Sequence, residues 1–137
     1  MQIPEIITNY VAALNAHDPD AFAALHAEDA VFEQVVKDGL VFRGREEIRG
    51  WAVANIHAAP DFSIATESVL VERERIAWAW RYRATYTGQY PGYPAGHGQP
   101  IALRVFALIE LRDGQIARET HYFDNYTFLS QTGALST

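Results

Sequence analysis

The sequence predicts an α+β fold, in which a curved, mostly antiparallel sheet forms a cone-shaped barrel and three helices from the N-terminal half pack on its concave face. Helical periodicities lie before residue 60, and long alternating runs rich in β-formers fill the chain after it. The dipeptide Asp113-Gly114 between the last two runs is a strong hairpin signal. We expect residues 1–137 to form one domain, because a chain of this length builds one core.

Three segments carry helix signals. Apolar residues recur at helical spacing from Ile3 to Leu14, and Pro4 suits a first helical turn. A short second helix opens at Asp18-Pro19-Asp20, where an N-cap residue precedes a proline. A third helix begins at Gly44, with Glu47 three positions on, and ends before Pro60.

The other segments predict strands and loops. Residues 30–36 are β-branched and aromatic, and the turn signal Lys37-Asp38-Gly39 leads to the short run Leu40-Val41-Phe42. The later predicted strands are Phe62–Val71, Arg75–Thr87, Ile101–Arg112 and Gln115–Phe123. The segment from Gly88 to Pro100 is rich in glycine, proline and tyrosine, so it predicts an irregular loop that serves as a rim or lid.

Alternation along the last strand separates two faces. Glu119, His121 and Phe123 share one face, because successive side chains of a strand point to opposite sides. Trp78, Trp80, Tyr82 and Tyr86 share a face of the middle strand, and we expect this aromatic face to point inward. A cavity wall with an acid, an imidazole and aromatic rings has the ingredients for acid–base chemistry on an apolar molecule.

Composition and motifs exclude several classes. With 11 basic against 17 acidic residues, a formal net charge of −6 and no basic run, nucleic acid and membrane are not expected partners. The absence of cysteine excludes disulfides and thiolate chemistry. We expect no metal site, since the histidines lack ligand spacing and no HExxH motif is present. The N-terminus shows neither a leader pattern nor a membrane-length apolar run, so a cytoplasmic location is expected.

Several stretches together resemble one known family. They are Tyr10–Asp18, Phe42–Ile48, the loop Pro94–Gly98, Arg112–Ile116 and the tail Phe123–Gly133. In these stretches the chain resembles the SnoaL-like polyketide cyclases, within the superfamily of nuclear-transport-factor-type cone folds that includes ketosteroid isomerases, scytalone dehydratase and limonene-epoxide hydrolase. The resemblance implies a cone that binds a hydrophobic small molecule.

The resemblance also implies roles for single residues. Tyr10 matches the oxyanion-binding tyrosine of ketosteroid isomerases, but Gln34 and Ala107 stand where those enzymes have their two aspartic acids. Steroid isomerisation by that mechanism is therefore not expected. In SnoaL-like cyclases the catalytic acid resembles an aspartate on the last strand. The matching position in this sequence is His121. An imidazole can perform such proton transfer near neutral pH.

The resulting hypothesis is a small cofactor-independent enzyme that cyclises or isomerises an aromatic or polyketide-like compound. His121 takes or returns a proton, Glu119 tunes it, and Tyr10 or Gln34 holds the developing enolate oxygen. The expected substrate-binding residues also include Trp51, Trp80, Tyr82 and Phe123 on the wall and His97 on the rim.

Alternatives accompany these assignments. His121 can instead be a hydrogen-bonded core residue, Glu119 can pair with Arg104, and Asp124 is expected to cap a short helix from Asn125. An epoxide hydrolase would need two carboxylates flanking an arginine, for which Glu33, Glu119 and Arg104 are the candidate set. A non-catalytic binding or dimerisation module is the third possibility. A homodimer through the outer sheet face, with Ala77, Ala79, Arg81, Arg83, Arg118, Thr120 and Tyr122, is expected in either case.

Overall fold

The computed structural model describes residues 2–36 and 39–135, which form four helices and six strands. In chain order these are α1 (Glu5–Asn15), α2 (Pro19–Ala24), β1 (His26–Val35), β2 (Leu40–Arg43), α3 (Gly44–Ala58), β3 (Ser63–Glu72), β4 (Arg75–Tyr86), β5 (Gln99–Arg112), β6 (Gln115–Phe123) and α4 (Asn125–Thr132). The predicted α+β class is confirmed. Lys37 and Asp38 of the predicted turn lie outside the described residues.

The strands form one curved, unclosed sheet in the order β2-β1-β6-β5-β4-β3. Neighbouring strands are antiparallel except β1 and β6, which pair in parallel. The predicted hairpin joins β5 to β6, with Arg112 opposite Gln115. Its two turn residues, Asp113 and Gly114, have positive φ angles of 54° and 78°, as a two-residue hairpin loop requires. This turn fixes which side chains of β6 point inward.

The aromatic face of β4, which the sequence predicts to point inward, lies on the concave side of the sheet. Trp78, Trp80, Tyr82 and Tyr86 of β4 are all buried. Helices α1, α2 and α3 come from the N-terminal half and place Tyr10, Phe22 and Trp51 in the same core, and α4 packs on β5. Capping follows the sequence at two helices, since Asp18 and Asp124 accept main-chain N–H groups of Ala21 and Thr127.

Strand β1 begins at His26, earlier than residue 30, where the sequence predicts it. The segment His26-Ala27-Glu28-Asp29 has little β-propensity, and pairing with β6 makes it a strand nonetheless. The parallel ladder between β1 and β6 shifts register between His26 and Val31. The extension places a fully buried histidine next to the inner face of β6.

Candidate active site

A cavity of about 500 Å³ lies at the concave face of the sheet. This volume lies within the range of small-molecule sites. Six residues expected from the sequence line it: Gln34, Trp51, Trp80, Tyr82, His121 and Phe123. Tyr90, Tyr93 and Phe128 were not expected on the wall, and each contributes a ring to it.

His121 is the titratable histidine of this wall. It is 1% exposed and lies opposite Gln34 of β1 and Ala107 of β5 in the sheet ladders. Its ring centroid is 4.8 Å from that of Phe32 and 5.6 Å from that of Trp80. Nε2 donates to Glu119 Oε1 at 2.8 Å, whereas Nδ1 is buried and finds no partner within residues 2–36 and 39–135. One nitrogen is therefore held by the protein, and the other is buried without a partner among the described residues.

Glu119 lies behind His121 and is itself fully buried. Its carboxylate accepts hydrogen bonds from the Tyr10 hydroxyl at 2.6 Å, from His121 Nε2 at 2.8 Å and from His26 Nε2. Burial alone would raise the pKa of Glu119, but the charge of His26 and the hydrogen bonds from both histidines outweigh it and lower that pKa. Glu119 is therefore an anion that contacts His121 and does not line the cavity.

Tyr10, His26, Glu119 and His121 form one buried hydrogen-bonded cluster. His26 is the member of this cluster that the sequence did not predict. The ring has 0% exposure, its Nε2 donates to Glu119, and its Nδ1 lies 3.0 Å from the Phe22 carbonyl oxygen. Burial lowers the pKa of His26, yet the Glu119 charge and hydrogen bonds more than compensate and leave that pKa raised. The Arg45 Nε donates to the His26 main-chain carbonyl at 2.7 Å, which anchors the start of β1.

The structure corrects the expected role of Tyr10. The hydroxyl gives its only proton to Glu119, and the ring lies between Phe22 and Trp78, with centroid distances of 4.9 Å to each. Burial, the Glu119 charge and this hydrogen bond raise the pKa of Tyr10 well above 10, so it remains a donor. Tyr10 is not among the residues lining the cavity, and its hydroxyl binds Glu119 instead of facing the cavity.

Other predicted residues lie apart from the cluster. His97 is exposed, and its main-chain N–H donates to the Gln99 side chain. The set required for epoxide opening is not assembled, because Arg104 donates to Glu67 and Arg118 donates to Glu33, each at 2.9 Å. The pairing of Glu119 with Arg104 is therefore also wrong.

The other end of the cavity is built from neutral hydroxyls. The Tyr82 and Tyr90 hydroxyls are 2.7 Å apart, and Tyr82 also donates to Asn55 Oδ1 at 3.3 Å. Tyr90 belongs to the predicted irregular loop, which also brings Pro91 and Tyr93 to the wall. A Cβ at Gly96 would lie 2.3 Å from the Tyr86 carbonyl oxygen, so the close approach of this loop to β4 requires glycine.

Residues 2–36 and 39–135 contain neither a cluster of metal-binding side chains nor a membrane-length apolar helix. Within them, no group of three or more His, Asp or Glu side chains is arranged to hold a metal ion. No helix in this part of the chain is long and apolar enough to cross a membrane.

Similar solved structures define the fold class of this chain. A protein from Catenulispora acidiphila, described as having a ketosteroid isomerase-like fold and in complex with trimethylamine, is 23% identical, with 96% of this chain and 95% of that chain covered and a TM-score of 0.80. IdmH from Streptomyces antibioticus, a putative polyketide cyclase, is 24% identical, with 94% and 96% covered and a TM-score of 0.78. The fold is therefore ketosteroid isomerase-like.

A match to a family is more specific than a shared fold. A putative SnoaL-like polyketide cyclase from Jannaschia sp. CCS1 is 17% identical, with 95% and 90% covered and a TM-score of 0.82. The family described as SnoaL-like polyketide cyclase matches residues 5–132 of this chain. No curated protein matches it at a significant level. This chain belongs to the SnoaL-like polyketide cyclase family.

Proposed function

We propose that this protein is a cofactor-independent enzyme that binds a hydrophobic, aromatic or polyketide-like molecule and catalyses its cyclisation or isomerisation. The observation that carries the proposal is His121 on the cavity wall, with Nε2 bound to a buried carboxylate and Nδ1 unpartnered among the described residues. A histidine oriented by a carboxylate in this way is the arrangement that makes imidazole an effective proton acceptor.

The proposed reaction needs only a proton to move. His121 Nδ1 takes a proton from a carbon next to a carbonyl group, and the electron pair of that C–H bond moves onto the carbonyl oxygen as an enolate. In a cyclisation, the enolate carbon then attacks a second carbonyl carbon of the same molecule, and His121 returns its proton to the new alkoxide. In an isomerisation, the proton returns to a different carbon. A positioned acid or base contributes roughly 10² to 10⁴ in rate.

Two wall residues supply candidate donors for the developing enolate oxygen. The Trp80 indole N–H is buried without a partner in the described part of the chain, and Trp80 lines the cavity beside His121. The Gln34 side chain lines the same wall, directly across the ladder from His121. A buried donor without a partner costs about 1–3 kcal/mol, so a ligand oxygen that accepts from Trp80 recovers this energy.

The lining favours a flat, apolar ligand. Trp80 lies beside His121, Trp51 and Phe123 line the same cavity, and Tyr82 and Tyr90 offer hydroxyls to polar substituents. Both Nδ1 of His121 and Nε1 of Trp80 are shielded from solvent. A ligand must therefore displace neighbouring side chains slightly to reach them, and proton transfer then proceeds out of water.

The direct test is proton–deuterium exchange, because it needs no knowledge of the natural substrate. We expect the protein to accelerate exchange in D₂O at the acidic C–H of an aromatic ketone such as 2-tetralone. His121→Gln should reduce the acceleration by about 10² to 10⁴. His57→Gln is the matched control, since His57 is exposed at the end of α3. Equal exchange by wild type and His121→Gln would remove this mechanism.

We also propose a homodimer through the outer face of the sheet. Phe106, Leu108 and Tyr122 are 45%, 37% and 44% exposed on β5 and β6, and Leu70 on β3 is 73% exposed. Phe106 lies opposite Tyr122, and both belong to the convex face. Contiguous apolar side chains of this kind are typical of an interface. Phe106→Asp should shift the mass measured by light scattering from dimer to monomer, and a monomeric wild type would contradict the proposal.

A further inference from the structure

We propose that His26 is a positioning residue, an imidazolium at neutral pH that balances the charge of Glu119 so that His121 stays neutral and can accept a proton. The inference deepens the proposed function and rests on it for its catalytic meaning. It concerns a residue outside the cavity wall, which acts on the proposed base only through the carboxylate between them.

The protonation of His26 follows from its two partners. Nδ1 faces the Phe22 carbonyl oxygen at 3.0 Å, and Nε2 faces a Glu119 carboxylate oxygen. A carbonyl oxygen and a carboxylate can only accept hydrogen bonds, and a neutral imidazole carries only one N–H. Because the lowered pKa of Glu119 keeps it a carboxylate, both nitrogens of His26 must carry a proton, which makes His26 a cation.

The protonation of His121 follows from charge balance. Glu119 is an anion that receives three donors, and the raised pKa of His26 and the lowered pKa of Glu119 agree with an ion pair. This pair is already neutral, so a second cation on His121 would leave a net charge in a fully buried site. Without His26, the uncompensated carboxylate would hold the proton on His121 and remove the free base.

The surroundings contain few other groups that could change this balance. Within residues 2–36 and 39–135, the titratable side chains that contact the pair are Tyr10 from α1 and His121 from β6. Phe22 from α2 and Trp78 from β4 contribute aromatic rings that do not ionise. Arg45 from α3 contacts the main chain of His26, and its guanidinium lies 3.9 Å from Glu28.

The consequence for a proton-transfer enzyme is a base that both takes and returns its proton. A lone carboxylate beside His121 would stabilise its protonated form and slow the return step. His26 weakens this stabilisation, while Glu119 still fixes the Nε2–H tautomer. The cluster thus separates orientation of the base, by Glu119, from control of its charge, by His26.

The test is the titration of His121 in three proteins, followed by NMR. In His26→Gln an amide can still donate to Glu119, but the charge is gone. We expect the midpoint of the His121 titration to move to higher pH by about one to three pH units, as an unbalanced neighbouring charge produces. In His26→Gln/Glu119→Gln, both charges are gone and the midpoint should return to or below the wild-type value. An unchanged midpoint in His26→Gln would overturn the proposal.

A second measurement holds even if His26→Gln does not fold. Nitrogen-15 NMR of wild-type protein at pH 7 should show both ring nitrogens of His26 protonated, and a neutral ring with one N–H would overturn the proposal. Neither measurement requires turnover, so failure of the exchange reaction with 2-tetralone would remove the catalytic meaning without deciding the charge of His26. If the protein catalyses exchange, the acidic limb of the pH–rate profile of His26→Gln should shift together with the midpoint of the His121 titration. An acidic limb that stays in place would contradict the positioning role.

Discussion

Two carboxylates of this protein, one inside the sheet and one outside, each bind two cationic or imidazole side chains. Glu119 on the concave face binds His26 and His121, and Glu67 on the convex face binds Arg81 and Arg104. Hydrogen bonding to the arginine Arg104 is the first cause that lowers the pKa of Glu67, whereas the lowered pKa of Glu119 is reached against the opposing effect of burial. Similar contacts between a carboxylate and its partners therefore contribute differently to stability, because water screens the charges around Glu67 and not those around Glu119.

The largest difference should appear when each carboxylate is removed. Glu119→Ala leaves the His26 charge without its partner in a fully buried site, so we expect a loss of about 3–5 kcal/mol in the free energy of unfolding. Urea denaturation measures this loss. Glu67→Ala is the matched control, and its exposed arginines remain solvated, so its unfolding midpoint should stay close to that of wild type. Equal losses in the two variants would contradict the comparison.

A smaller effect is expected for the neutral donor of the inner cluster. Tyr10→Phe removes one hydrogen bond to a charged group and keeps the ring between Phe22 and Trp78. The cost should be about 1.5–3 kcal/mol in the free energy of unfolding, measured by the same denaturation. The variant should keep more exchange activity than His121→Gln, because Glu119 retains both histidines. A complete loss of exchange would instead place the Tyr10 hydroxyl at the substrate.

The smallest effect is the gradual dependence of stability on pH. The raised pKa of His26 adds stability that is full below its ordinary value of 6.5 and is lost as the pH rises through the folded value. The lowered pKa of Glu119 adds stability that is full above 4.5 and is lost as the pH falls through the folded value. When the pKa of a group differs by one between the folded and unfolded states, the free energy of unfolding changes by about 1.4 kcal/mol.

The measurement for this pH effect is a difference between two proteins. The free energy of unfolding of wild type minus that of His26→Gln/Glu119→Gln should be largest between pH 4.5 and 6.5 and should decline on both sides. A difference that grows above pH 6.5 would show that His26 is neutral when folded. Glu67→Gln, compared in the same way, controls for the surface carboxylates.

The sequence predicts most of the fold and three of the four members of the cluster. Alternation and the Asp113-Gly114 turn suffice to place Glu119 and His121 on the inner face of β6, with the strand bounds Gln115–Phe123 unchanged. Periodicity also places Tyr10 inward, but it does not say which inner group the hydroxyl meets. His26 escapes prediction because its partner is 93 positions away and its own strand segment is polar.

The parallel pairing of β1 with β6 gives the site an order of assembly. Among the described residues β1 is the first strand and β6 the last, and His26 pairs with a carboxylate that lies 93 positions later in the sequence. Contacts of such long sequence separation form late, after the entropy of closing the intervening loop has been overcome. During synthesis the helices and the early strands are complete first, and the cluster of His26, Glu119 and His121 is assembled only when β6 docks beside β1.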